Sequence, residues 1–335
     1  MENQGYRPYY RPYQPRPTVD PAKAERKNLF RIGFGLLVYL LVTYALQVAA
    51  VVVCSRLFPT FYYENDYFTV WVSLVSYIVG MPIFFGIVGS MPKVRPERKK
   101  LGGANWIGFL AVSFALMYAG SLIASFLMTA LETLRGEEIT NAVAEQIGNS
   151  TPLANVLLAV VMAPIAEELI CRKWIIDRLL PYSEWLAVAT SGLLFGLIHG
   201  NFYQFFYAAL MGILFGVVYV KTGKILHTIL MHAIINFTGS IIPTFLNSVL
   251  PEDAELALET FNPWMLVSAI YSIAQFTLIV CGVIFLVRFI KHGKLESTGE
   301  KALPLGTQIR AAWLNWGTVL MVGFCLIQFF FSLFI

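Results

Sequence analysis

The chain has 335 residues, 57% of them hydrophobic and 13% charged, with a formal net charge of +4. Soluble domains carry about a quarter charged residues, so this balance excludes an ordinary water-soluble globule and points to a chain embedded in lipid. Four cysteines, with no CxxC and no paired spacing, exclude a disulfide or zinc framework and read as thiols buried in helices.

Residues 1–28 open with GYRPYYRPYQPRP, an imperfect Tyr/Arg/Pro repeat. Frequent proline prevents helix and sheet, so a disordered basic tail is expected, with arginines able to rest on anionic headgroups at about 1 kcal/mol each. Pro and Tyr precede the first apolar run, which therefore reads as a retained anchor and not as a cleaved signal peptide. From residue 29 to 335 a polytopic membrane domain is expected. Apolar runs near the roughly 20 residues that span a bilayer recur at 32–53, 67–91, 105–131, 152–172, 184–199, 203–220, 225–247, 264–287 and 311–335. The fold expected is an all-α transmembrane helix bundle of eight or nine spans, the fifth of them short.

Basic residues gather in the N-terminal tail, in MPKVRPERKK (91–100), from Arg172 to Arg178, at Lys221 and Lys224, and in RFIKHGK (288–294). The alternate connections are acidic or neutral: FYYENDY (61–67), the segment with Glu132, Glu137, Glu138 and Glu145, and PEDAELALE (251–259). By the positive-inside rule the N-terminus is cytoplasmic and, with nine crossings, the C-terminus is outside. An integral protein of the plasma membrane is expected, with lipids and a membrane-associated peptide or protein as partners and no nucleic acid.

Spans 1–3, 8 and 9 carry no ionisable residue in their apolar interiors, whereas spans 4–7 hold Glu167, Glu168, Arg172, His199, His227 and His232. A charge at mid-bilayer costs ~2.5–3.5 kcal/mol even on lenient scales, so such residues mark function by default. Helix positions four apart share a face. Glu168 and Arg172 can therefore pair along one helix, while Glu167 points about 100° away and needs another partner. Phe195 and His199 in FGLIH, and His232 and Asn236 in HAIIN, repeat the spacing. His227 lies about 140° around from His232 and should face elsewhere. Cys171 reads as a small core residue, Asp177 as solvated near an interface, and His292 as a loop residue without a role.

EELICR fits Glu-Glu-x-x-x-Arg, FGLIH fits Phe-x-x-x-His and HAIIN fits His-x-x-x-Asn. In this order on successive membrane helices, they resemble the CPBP family of intramembrane proteases, which includes CAAX prenyl endopeptidases and bacteriocin-processing or self-immunity proteins. The resemblance covers about residues 151–240, the expected catalytic core. It implies peptide-bond hydrolysis in the membrane, with Glu167 and His199 activating water, His232 and Asn236 stabilising the oxyanion, and Glu168, Arg172 and Phe195 in support. The family is commonly labelled a metalloprotease.

Residue chemistry is compatible with two versions. A carboxylate tuned by burial can act as a general base, and His and Asn can donate to an oxyanion. Equally, Glu167, His199 and His232 are candidates to hold Zn2+ or another divalent metal, leaving a position for water. There is no HExxH segment, no GxGD segment, and no Gly-x-Ser-x-Gly elbow around Ser191. A catalytically silent, peptide-binding immunity or scaffold protein, a proton-coupled transporter and a structural subunit with a packing cluster are the rival readings. The cavity is expected to open toward the cytoplasmic side, because the two Glu lie nearest that face. If span 5 crossed fully, His199 would lie ~20 Å from Glu167 by helical rise, so the turn HGNFYQ is expected to be sunk into the protein, as backbone lining a cavity can be.

Overall fold

The computed structural model describes residues 21–251, 262–292, 295–296, 299–301 and 303–334, and among these every regular element is helical. In chain order they are α1 (Pro21–Leu57), α2 (Pro59–Tyr63), α3 (Phe68–Gly89), α4 (Gly103–Arg135) and α5 (Ala142–Gly148). Then follow α6 (Pro152–Leu179), α7 (Glu184–Leu197), α8 (Phe202–Thr222) and α9 (Ile225–Val249). The last are α10 (Pro263–His292), α11 (Leu305–Trp313) and α12 (Trp316–Phe331).

Seven of these helices are long and apolar enough to cross a membrane, and eight if α11 and α12, bent by 61°, count as one span. The bend is built by Asn315. Its side-chain oxygen accepts from Thr318 N at 2.9 Å, and its amide donates to the Ala311 and Ala312 carbonyls, so one residue closes α11 and opens α12. The ninth expected span is corrected. α7 has 14 residues, from a Ser183 cap whose Oγ accepts from Leu186 N, to Leu197. At 1.5 Å per residue it reaches about 21 Å, well short of a ~30 Å hydrocarbon core.

The expected tail of residues 1–28 also changes. Residues 1–20 lie outside the described part of the chain, whereas 21–28 form the first two turns of α1. Pro21 is the last proline before Pro59, and proline suits the first turn of a helix.

The bundle has two chemically different ends. At one end Arg31 bonds the Ser90 hydroxyl, Val94 N donates to the Asp177 carbonyl at 2.8 Å, and Lys99 N donates to the Thr222 carbonyl at 2.9 Å. The basic segment 92–101 is thus an extended strap across the ends of α6 and α8. Arg178 donates to the Val88 carbonyl at 2.6 Å and so satisfies the C-terminus of α3. Asp177, expected to be solvated, is 1% exposed. It accepts from the Tyr219 hydroxyl at 2.8 Å and pairs with Lys173 at 3.3 Å, because the strap covers it. At the other end Arg135 bonds the Leu333 carbonyl, and Asn262 donates to the Val249 carbonyl.

α7 and α8 form the innermost pair. Gly192 and Gly196 on α7 face Ala209 and Gly212 on α8, the small-residue spacing that lets helix backbones approach in lipid. A Cβ at Gly192 would lie 2.6 Å from the Ile213 backbone nitrogen. Helix propensity alone would make Gly192→Ala stabilising by up to ~1 kcal/mol. Here it is expected to lower stability instead, by about 1–3 kcal/mol through overpacking, as read by thermal unfolding in detergent. A rise in stability would show that the two helices have room to part.

Candidate active site

The two adjacent carboxylates that sequence places in lipid have different surroundings. Glu168 is fully buried and forms a two-point pair with Arg172 one turn on, at 2.8 and 3.0 Å. The third arm of the guanidinium donates to Ser191 Oγ at 3.0 Å, and Ser191 in turn donates to the Cys171 carbonyl at 3.0 Å. Ser191 therefore ties α7 to α6 through both of its hydrogen-bonding roles. The Arg172 guanidinium lies over the rings of Phe195 and Phe215, 5.1 and 5.8 Å from their centroids. A buried charge is tolerable only when paired and hydrogen-bonded, and every arm of this one is engaged.

Glu167 faces the other way, as the spacing requires, onto a cavity of about 580 Å3 that His199, His232 and Asn236 also line. His232 stands between the two carboxylates, with Nδ1 3.3 Å from Glu168 and Nε2 3.7 Å from Glu167. Both Arg172 bonds are donated to Glu168, which leaves the carboxylate an acceptor, so His232 Nδ1 donates to it. His199 Nδ1 donates to the Phe195 carbonyl at 2.7 Å, which leaves its Nε2 as an acceptor. The Phe195 ring meets both imidazoles edge-on, at 4.9 and 5.6 Å, and so spaces them.

Prolines shape the walls. α6 contains π-helical turns at Val156–Met162 and Leu169–Ile176, and α9 contains one at Phe237–Ile241. Such turns concentrate at functional sites. In the first, Pro164 has no N–H to offer the Ala159 carbonyl five residues back. The Asn236 amide takes that carbonyl at 2.8 Å, which fixes its orientation and keeps its second N–H available. In the third, Pro243 leaves the Thr238 carbonyl to the Tyr271 hydroxyl in the same way.

The distance between Glu167 and His199 feared from sequence is removed by the shortness of α7. Gly200 takes φ +65°, a left-handed turn that favours glycine. It is buried against the Gln328 side chain, and Phe202 packs edge-on against Phe329. The turn is thus floored by α12, and His199 is held inside the bundle. A second cavity of about 170 Å3 adjoins the first and shares Glu167, His199, Gln47, Ser73 and Tyr77 with it. Those uncharged polar residues of α1 and α3, with Gln204, Tyr207 and Asn155, were missed from sequence. Their signal was polar residues at one-turn spacing, Tyr77 with Ser73 and Gln47 with Thr43, in spans without charge. His227 does not line the cavity, as its helical angle predicted.

Residues 149–238 match the Rce1-like family of type II CAAX prenyl endopeptidases. The match is to a peptidase family and covers about a quarter of the chain. It runs from the start of α6 to the first π turn of α9 and contains all seven residues singled out by spacing. The helices that complete the walls, α1 and α3, lie outside it. No curated protein and no solved structure matches the chain.

Within the Rce1-like segment the metal candidates were tested by their geometry. Glu167, His199 and His232 line one cavity, yet among the described residues no three His, Cys, Asp or Glu groups converge as a metal would require. His232 and His199 each commit Nδ1 to a protein acceptor, which leaves Nε2 as the nitrogen a metal could take. As they stand, the three side chains do not converge as a three-ligand set.

Beyond Glu167, His232 and Asn236 near mid-helix, the lining reaches toward the opposite end: Gln47 and Val51 from the last third of α1, Phe68 to Tyr77 from the start of α3, and Gln146 and Ile147 from α5. Toward the basic end the hollow is closed by Arg172, Ile175, Ile176 and Phe215, all fully buried.

Proposed function

We propose that this integral membrane protein is an intramembrane endopeptidase that hydrolyses a peptide bond in a membrane-associated or lipidated peptide or protein. The observation that carries this reading is the convergence of Glu167 from α6, His199 from the end of α7, and His232 and Asn236 from α9, all within the segment that matches a peptidase family, on one cavity.

Glu167 and the acceptor Nε2 of His199 hold a water by its two protons. Glu167 takes one proton as the water oxygen attacks the scissile carbonyl carbon. The carbonyl electron pair moves onto oxygen, where the free N–H of Asn236 and Nε2–H of His232 receive it. With Nδ1–H given to Glu168, donation from Nε2 requires the doubly protonated ring. On collapse the C–N bond breaks and the leaving amine takes the proton from Glu167. Glu168 and Arg172 position His232, and Phe195 spaces the two imidazoles.

The test is cleavage of membrane-inserted peptides by the purified protein in nanodiscs, with products read by mass spectrometry. Asn236→Ala removes one oxyanion donor and is expected to lower kcat by ~10²–10³ with little change in KM. A peptide that binds but is never cut by the wild type would instead identify a silent, peptide-binding protein. Proton-coupled uptake in proteoliposomes without product would identify a transporter.

A further inference from the structure

The asymmetry between the two ends of the bundle bears on where the substrate comes from. The basic segments separated in sequence all meet at one end: the first turns of α1, the strap with Lys93, Arg95, Arg98, Lys99 and Lys100, and the C-termini of α6, α8 and α10. Lys301 joins them through its pair with Glu25, and Lys221 through its pair with Glu184. At the other end, among the described residues, the only lysines or arginines are Arg56 and Arg135, and Arg135 is engaged by Leu333 and Glu137. That end carries Glu64, Asp66, Glu132, Glu137, Glu138 and Glu145.

Lysine and arginine near span ends set orientation, because they resist translocation. The basic end is therefore the cytoplasmic one. The cavity has Glu167, His232 and Asn236 near mid-helix at its base, and the rest of its lining extends toward the other end, through Gln47 and Val51 of α1, Phe68 to Tyr77 of α3 and Val143 to Ile147 of α5. Helix α5, half of it solvent-exposed, stands at its mouth through Val143, Gln146 and Ile147.

We propose that the cavity opens away from the cytoplasm, so that its substrate is a peptide segment presented on the non-cytoplasmic face of the membrane. A cytoplasmic C-terminal tail approaching from the basic end meets the strap and the buried Arg172 plug, with no path to Glu167. The word substrate rests on the hydrolase reading above; the sidedness does not.

The experiment places single cysteines in a chain otherwise freed of Cys54, Cys171, Cys281 and Cys325, expressed in bacterial cells. Spheroplasts are treated with a membrane-impermeant maleimide before and after permeabilisation. Ala144→Cys, on the exposed face of α5, is expected to react in sealed spheroplasts at least tenfold faster than Lys99→Cys on the strap. Lys99→Cys is expected to react only after permeabilisation. The opposite order, or equal reaction of both, overturns the proposal. Should the cysteine-free chain fail to fold, an epitope tag inserted after Gly136 in the native chain gives the same reading by antibody binding to sealed spheroplasts. Labelling as expected, with peptide cleavage unaffected by Glu167→Gln, would sink the catalytic reading alone. Reversed labelling with Glu167 essential would sink the sidedness alone.

Discussion

Glu167→Gln is expected to lower peptide cleavage by at least ~10²–10⁴, the range that a general base supplies, while thermal unfolding in detergent stays within about 1 kcal/mol of wild type. The two halves of this expectation have separate causes. Gln keeps the size and hydrogen-bonding capacity of the side chain but cannot take a proton from water. Glu167 is 22% exposed to the cavity and its nearest charged partner, His232 Nε2, is 3.7 Å away, so little of the packing depends on its charge. His199→Ala is expected to fall in the same direction, since it removes the second acceptor for the water. If Glu167→Gln cleaved at the wild-type rate, the proton would have to go elsewhere and the assignment of the base would be wrong.

Arg172→Met is expected to have the largest effect on stability, about 3–5 kcal/mol, the cost of leaving one member of a buried ion pair without the other. Glu168 is fully buried and loses both of its guanidinium bonds, while Ser191 loses the donor that ties α7 to α6. Glu168→Gln combined with Arg172→Met should recover much of the loss. The Gln amide oxygen still accepts from His232 Nδ1, and no unpaired charge remains. A coupling energy of about 2–3 kcal/mol between the two positions is expected from the double-mutant cycle. Near-additive losses would mean that the pair contributes no more than its packing. The double variant should still be inactive if His232 must be held by a carboxylate at position 168, which separates the structural role of the pair from its effect on chemistry.

What was legible in the sequence was whatever repeats at the spacing of a helical turn. Glu168 with Arg172, Phe195 with His199 and His232 with Asn236 could be paired on paper because i and i+4 fall on one face. The first two pairs touch along their own helices, through the salt bridge and through the edge-on ring contact. Contacts between helices were not legible. That one imidazole meets both adjacent carboxylates, and that Asn236 serves a carbonyl freed by Pro164, depends on how α6 and α9 cross. The lining of the cavity was hidden for a related reason. Position along a span locates Glu167 in depth, but which side is hollow is decided by the neighbours. Arg172, Phe195 and Phe215 fill the space on one side, while α3 and α5 stand apart on the other. The tail boundary failed more simply, since composition averaged over 28 residues hid a helix that begins as soon as the prolines stop.

The floor beneath the HGN turn has a consequence for biogenesis. α12 follows α6 to α9 in the chain, and it seats against α1: a Cβ at Gly33 would fall 2.3 Å from Thr318 N, and one at Gly317 would fall 2.1 Å from the Phe30 carbonyl. The same helix presents Gln328 and Phe329 under His199 and its turn. A nascent chain that has released α6 to α9 from the ribosome holds every motif residue but lacks the element that keeps His199 at its post. The candidate site is therefore complete only once α12 has docked onto α1, so a polypeptide that has yet to release α12 carries the motif residues without the helix that holds their turn.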